Sequence, residues 1–234
     1  MFGNYEIEDK FLIRENTLEI RILKIAKRIF KYYRKCRNTE EFKRIVAEKI
    51  NLGIYPLPPL NQKYFTTNTL YLKLRSAIAL PPKERIIVYF KAPVDVGVAL
   101  YKNNIFTILD KIPLIKEKYA IYGSIENGQI CRFYTTDVYY KEPQVLLGEA
   151  LVEAEINNLS NDFIEISKII MPVAGVNMFY RGKESHYGLF KIVIESLSSI
   201  SIKYVKEAKI PYFHQSPITV GQFKEHFRLE WGVS

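Results

Sequence analysis

The sequence predicts an all-β protein: a mostly antiparallel, sandwich-like array with a short helix at the C-terminal end. Three observations carry that reading. Tyr and Phe number 17 and 14, and aromatic side chains favour strands. Asn127-Gly128 sits between two runs of β-formers, and an Asn-Gly pair accepts φ > 0 at both positions, which favours a type I′ hairpin turn. Short apolar alternations recur between Pro, Gly and Asn punctuation, as in a sandwich or barrel.

Residues 17–37 admit two readings. Leu18, Ile22, Ile25, Ala26, Ile29 and Tyr33 recur at helical spacing, and Asn16 with Glu19 makes a capping-box-like start. Against this, Leu18-Glu-Ile-Arg-Ile alternates at period two. On pattern alone the helix has a slight edge. Pro56-Leu-Pro-Pro reads as a polyproline-type connection. It marks a weak internal boundary near residues 56–62 of a single β-rich domain, residues 1–210.

Farther along, strands dominate. Residues 70–79 alternate, Pro81-Pro82 interrupts them, 86–90 resume, and 94–101 form another apolar run before Asn103-Asn104. In 149–156, Ala150, Val152, Ala154 and Ile156 point inward, with Glu149, Leu151, Glu153 and Glu155 outward, the mark of a half-buried strand. Residues 163–171, 176–180, 189–194 and 200–205 supply further strands. Residues 211–234 form a tail. There Val220, Phe223, Phe227 and Trp231 fall at helical spacing, Thr219 and Gln222 suit a capping box, and Gly232 suits a stop. The aromatic stripe Phe223, Phe227 and Trp231 either docks on its own sheet or inserts into a partner's groove.

With Asn127 and Gly128 as the whole hairpin loop, Gly123 faces Arg132 and Tyr122 faces Phe133. Ile121, Gly123, Ile125, Ile130, Arg132 and Tyr134 then share one face, and Tyr122, Ser124, Cys131 and Phe133 the other. Arg132 either binds an anion beside Tyr134 or lays its stem over apolar neighbours. The second role is the commoner one for a strand arginine.

Charge is unevenly spread. The formal net charge is +9. Lys24, Lys27, Arg28, Lys31, Arg34, Lys35, Arg37, Lys43 and Arg44 are opposed within residues 24–44 only by Glu40 and Glu41, so that stretch carries most of the excess. Phe30, Tyr32 and Tyr33 are interleaved with it. Cations beside aromatics suit phosphate contact with base stacking. A solvated face of a half-buried element has the same composition.

No catalytic constellation stands out. His186, His214 and His226 have no metal-ligand spacing, and Cys36 and Cys131 make neither a disulfide framework nor a zinc site. Glu149, Glu153 and Glu155 on one strand face read as solvated carboxylates before they read as an acid–base pair. Asp95 and Asp137 are lone acids near strands. There is no P-loop, dinucleotide fingerprint or nucleophile elbow. No catalytic residue, metal or cofactor is expected. The start lacks a signal peptide, and no apolar run approaches the ~18 residues that span a bilayer, so the expectation is a cytoplasmic protein without membrane insertion.

The block Lys118-Tyr-Ala-Ile-Tyr-Gly with Gly128-Gln-Ile-Cys-Arg-Phe resembles the signature region of an uncharacterised archaeal family, domain of unknown function number 432. Glu155-Ile-Asn-Asn-Leu-Ser, Lys168-Ile-Ile-Met-Pro, Gly175-Val-Asn-Met-Phe-Tyr, Pro93-Val-Asp-Val-Gly-Val and Ile54-Tyr-Pro-Leu-Pro-Pro continue the likeness over about residues 1–205. The resemblance implies strands in the 17–37 region and an archaeal origin, and supplies no catalytic residue. Three functions are carried forward. The first is a non-enzymatic binding or assembly protein that engages nucleic acid or another polyanion through residues 24–44. The second is a protein-interaction subunit. The third is a hydrolase built around Arg132.

Overall fold

The computed structural model describes residues 1–60, 67–103, 105–124, 126–196, 199–205 and 210–219. Among them run eighteen strands in chain order: β1 (Gly3–Ile7), β2 (Lys10–Glu15), β3 (Leu18–Ala26), β4 (Ile29–Cys36), β5 (Thr39–Val46), β6 (Ile50–Leu57), β7 (Thr69–Leu80), β8 (Arg85–Pro93) and β9 (Asp95–Lys102). There follow β10 (Ile105–Pro113), β11 (Tyr119–Tyr122), β12 (Gln129–Thr136), β13 (Glu149–Asn158), β14 (Ile164–Pro172), β15 (Phe179–Arg181), β16 (Glu184–Ser196), β17 (Ser199–Tyr204) and β18 (His214–Gln215). The all-β expectation holds. The predicted tail helix, with Phe223, Phe227 and Trp231, lies outside the described residues, as does His226. No helix among the described residues is long and apolar enough to cross a membrane.

The strands form four sheets, ordered β1-β6-β9-β10, β2-β3-β4-β5, β11-β12-β7-β14 and β18-β15-β16-β13-β8, with β17 added on β16. Most pairs are antiparallel, but β12 runs parallel to β7 and β13 parallel to β16. The central strands of the first sheet, β6 and most of β9, are buried on both faces. Leu52, Ile54, Val96 and Val98 pack with Leu18, Ile20, Ile22, Phe30 and Tyr32 of the β2–β5 sheet. Tyr55, Leu57 and Ala99 join the core shared by the other two sheets. Burial on both sides explains why residues 94–101 read as a continuous apolar run instead of an alternation.

Residues 17–37 are strands, not helix. Leu18, Ile20 and Ile22 are buried at period two, and β3 and β4 pair as a hairpin from Leu18↔Cys36 to Ala26↔Ile29. The helical spacing of Ile25, Ile29 and Tyr33 is coincidental, because a turn separates the first from the other two. Pro56 is likewise no connector. It lies inside β6 opposite Val96, beyond Ile54 where pairing with β1 ends, so no partner on that side needs its missing N–H. The alternation over 149–156 holds: Ala150, Val152, Ala154 and Ile156 are buried, though Leu151 is buried as well.

The hairpin exists, but with another register. Tyr119 pairs with Arg132, Ala120 with Cys131, Ile121 with Ile130 and Tyr122 with Gln129. β11 therefore ends at Tyr122 and β12 begins at Gln129, so the turn is not a two-residue one. Gly123 leaves the strand at φ 107°, which a side chain rarely tolerates. Gly128 folds back so closely that a Cβ there would come within 2.3 Å of Ile121 Cγ2 and the Ser124 carbonyl. The slip from the expected register is an even number of residues, so the side chains within β11 and β12 keep their predicted faces. Their cross-strand neighbours change: Arg132 faces Tyr119 instead of Gly123, and Tyr122 faces Gln129 instead of Phe133.

Candidate functional site: an open sheet face bearing cations and paired rings

The β2–β5 sheet covers the core with one face and turns the other to solvent. Alternation decides which residues go where. Inward go Leu18, Ile20, Ile22, Phe30, Tyr32, Cys36 and Ile45, all buried. Outward, the strand registers build three cross-strand rows: Lys10, Leu23, Lys31 and Arg44; then Leu12, Arg21, Tyr33 and Phe42; then Arg14, Glu19, Lys35 and Glu40.

The middle row holds a tilted aromatic pair. The Tyr33 and Phe42 rings lie 5.0 Å apart, and Phe42 is 54% exposed. Arg21 stands 5.5 Å from the Tyr33 ring centre and the Lys31 ammonium 4.7 Å from that of Phe42. Leu12 and Leu23 are also exposed. The first row is purely cationic among its titratable groups, and no ion pair to Lys10, Lys31 or Arg44 occurs among the described residues. The third row is neutralised: Arg14 and Arg21 both bind Glu19, and Lys35 pairs with Glu40 at 3.3 Å. The face therefore grades from basic through aromatic to balanced.

The nine cations of residues 24–44 do not share one face. Lys31 and Arg44 are on the open face, and Lys27 and Arg28 sit in the β3–β4 turn. Lys24 pairs loosely with Asp9 at 3.6 Å and Lys35 with Glu40. Arg34, Arg37 and Lys43 are tied to the first sheet and the segment after it. The Arg34 guanidinium donates to Asp110 Oδ2 at 3.1 Å, Arg37 to the Leu114 carbonyl at 2.5 Å and Lys43 to the Leu109 carbonyl at 2.5 Å. Tyr32 also donates to Asp110 Oδ2, at 2.8 Å. A bulge between Ile108 and Asp110 in β10 turns that carboxylate inward. Burial, with Asp110 next, pushes the Tyr32 hydroxyl far above its ordinary range. Of the interleaved aromatics, only Tyr33 faces out. Phe42, Lys10 and Arg21 complete the face; period-two alternation carried through β2, β3 and β5 marks them.

Arg132 belongs elsewhere. It is 1% exposed. Its guanidinium sits 5.7 Å from the Tyr119 ring centre, and Nη2 donates to the Ile115 carbonyl at 3.0 Å. Nη1 lies 3.2 Å from Glu117 Oε1, an ion pair without hydrogen-bond geometry, since neither Nη1 nor Nε finds a hydrogen-bond acceptor among the described residues. Asp95 is buried nearby, and Tyr187, wholly enclosed, donates to the Pro93 carbonyl at 2.7 Å. Desolvation pushes the Asp95 carboxyl up to about 7, against the pull of Arg132. Distant strands assemble this cluster inside the protein. Asp137, the other lone acid, pairs with Arg75 at 3.2 Å on the surface. Glu149 accepts a hydrogen bond from Tyr134 at 3.0 Å and pairs with Lys91 at 3.5 Å.

The remaining sequence candidates are structural in their surroundings. His186 is buried, and its Nδ1 accepts from the Gly188 amide at 2.7 Å; burial lowers its pKa to about 4. His214 is exposed beside Tyr180. Cys36 and Cys131 are buried and unbridged. No group of three or more metal-ligand side chains occurs among the described residues.

The model of the family described as "Protein of unknown function (DUF432)" matches residues 1–227. No curated protein and no solved structure matches the chain.

Proposed function

The chain belongs to this family, whose description assigns no activity, and we propose that it is a non-enzymatic protein that binds single-stranded nucleic acid on the open face of the β2–β5 sheet. The observation that carries this reading is the exposed, tilted Tyr33–Phe42 ring pair set beside Lys31 and Arg44, which lack ion-pair partners among the described residues. Each ring offers a π-face to any base, and base–aromatic stacking contributes about 1–3 kcal/mol per base without sequence preference. The row Lys10, Lys31 and Arg44 supplies the charge that follows a phosphate backbone. Exposed Leu12 and Leu23 widen the apolar floor between the cations. A duplex would present phosphates but no unstacked bases, so the face favours single strands. The test is fluorescence anisotropy with a short labelled oligouridine. Binding that weakens steeply between about 50 and 200 mM salt supports the reading. Absence of binding at low salt rejects it.

A further inference from the structure

At the Val46 end of the same sheet lies a groove of about 760 Å³, formed where β5, the start of β6 and the β9–β10 turn meet. We propose that this groove receives the phosphorylated end of the bound strand. The inference rests on the single-strand reading and adds an orientation to it.

Charge points that way. Arg28, Lys49 and Lys102 line the groove against one carboxylate, Glu48. No ion pair to Arg28 or Lys102 occurs among the described residues, and Lys49 makes only an exposed contact to Glu6 at 3.5 Å. Arg28 is held for the task by its backbone. It adopts φ 65° in the turn after β3, and its carbonyl accepts from the Ala47 amide at 3.0 Å. The turn is thereby fixed to the groove wall.

Continuity with the face supplies the direction. Val46 lines the groove and is also an exposed outer-face residue of β5. It follows Phe42 by four residues, about 14 Å along an extended strand. A chain stacked on Tyr33 and Phe42 that runs past Lys31 and Arg44 therefore reaches Arg28 and Lys102. The opposite direction leads to the neutralised third row, where Arg14 and Lys35 are already paired with Glu19 and Glu40. The volume suits one nucleotide, within the roughly 300–1,000 Å³ of small-ligand sites. A terminal phosphate monoester carries more charge than an internal diester and offers more acceptor oxygens, so three cations lining one groove discriminate in favour of an end.

The test compares oligouridines bearing a 5′-phosphate, a 3′-phosphate or neither, by competition anisotropy. The expected result is that one phosphorylated end binds about tenfold tighter than the unphosphorylated strand, the equivalent of about 1.4 kcal/mol. The double variant Arg28→Asn/Lys102→Gln reduces that ratio to near one. Asn tolerates the left-handed backbone at position 28, and Lys49→Gln alone provides an independent reduction if the double variant misfolds. Equal affinity for all three ends, or a preference that survives the variants, overturns this inference and leaves the sheet reading standing. A free nucleoside monophosphate that competes while end phosphorylation makes no difference also overturns it. Absence of binding by every oligonucleotide overturns both.

Discussion

Tyr33 on β4 and Phe42 on β5 face each other across the outer side of the sheet, their ring centroids 5.0 Å apart and their planes tilted by 47°. A buried aromatic pair of this kind needs no functional account. This one stands on a solvent face between cations, where water gains nothing from it and a flat ligand does.

Tyr33→Ala and Phe42→Ala should each weaken oligouridine binding by about 5- to 150-fold, from the loss of roughly 1–3 kcal/mol of stacking per base. Because Phe42 is exposed, its loss removes little core packing. Thermal unfolding followed by circular dichroism should shift by only a few degrees, which separates lost binding from lost fold.

The cations divide into two experimental classes. Lys31→Ala or Arg44→Ala should flatten the slope of log affinity against log salt by about one each, with stability unchanged. Asp110→Ala should do the reverse. It strips the buried acceptor from both Tyr32 and Arg34, and a buried cation left without its partner costs about 3–5 kcal/mol. Urea unfolding midpoints and salt-titrated anisotropy on the same variants test both halves.

Two buried groups oppose each other in pH. Desolvation raises Asp95 from 3.8 to about 7, so the unfolded chain sheds this proton across that window while the fold retains it; stability from this group falls as pH rises. His186 is lowered from 6.5 to about 4, so its buried neutral ring resists a proton that the unfolded chain accepts; stability from it falls as pH drops through that range. Asp95→Asn removes the first slope and exposes the second. Its unfolding midpoint in urea should climb with pH between about 4 and 7 more steeply than that of the unaltered protein. A parallel pair of curves would contradict the assignment of Asp95.

Arg132→Met should destabilise the protein and raise the Asp95 pKa further, because the cation that lowers it is gone. Oligouridine affinity should stay within about twofold once folded protein is compared, a difference of less than 0.5 kcal/mol. Carboxyl chemical shifts followed through a pH titration read the first effect, and anisotropy reads the second.

Much of the fold was legible where a single rule decides it. The strand at 149–156 has one wet face and one dry face, so its alternation survives in the sequence. The two faces of the hairpin were legible too, since pleat parity is insensitive to an even slip. Its register was not: local Asn-Gly preference favours a two-residue turn, and Gly123, Gly128 and the packing of Arg132 against Tyr119 prevail. Residues 17–37 misled because Ile25, Ile29 and Tyr33 imitate a helical stripe across what is a turn. The candidate face was half visible. Net charge marked residues 24–44, but only strand pairing shows that Arg34, Arg37 and Lys43 bond inward while Lys10, Arg21 and Phe42 join the outer surface. Asp95 and Arg132 lie far apart in the chain, and nothing local to either announces the other.

The most direct measurement is oligouridine anisotropy over a salt series with the unaltered protein and a Tyr33→Ala/Phe42→Ala/Lys31→Ala triple variant. The account predicts affinity that falls linearly on logarithmic axes for the unaltered protein, and loss of most of that affinity in a triple variant that remains folded. Equal affinity for the two folded proteins, or no binding by either at low salt, would contradict it.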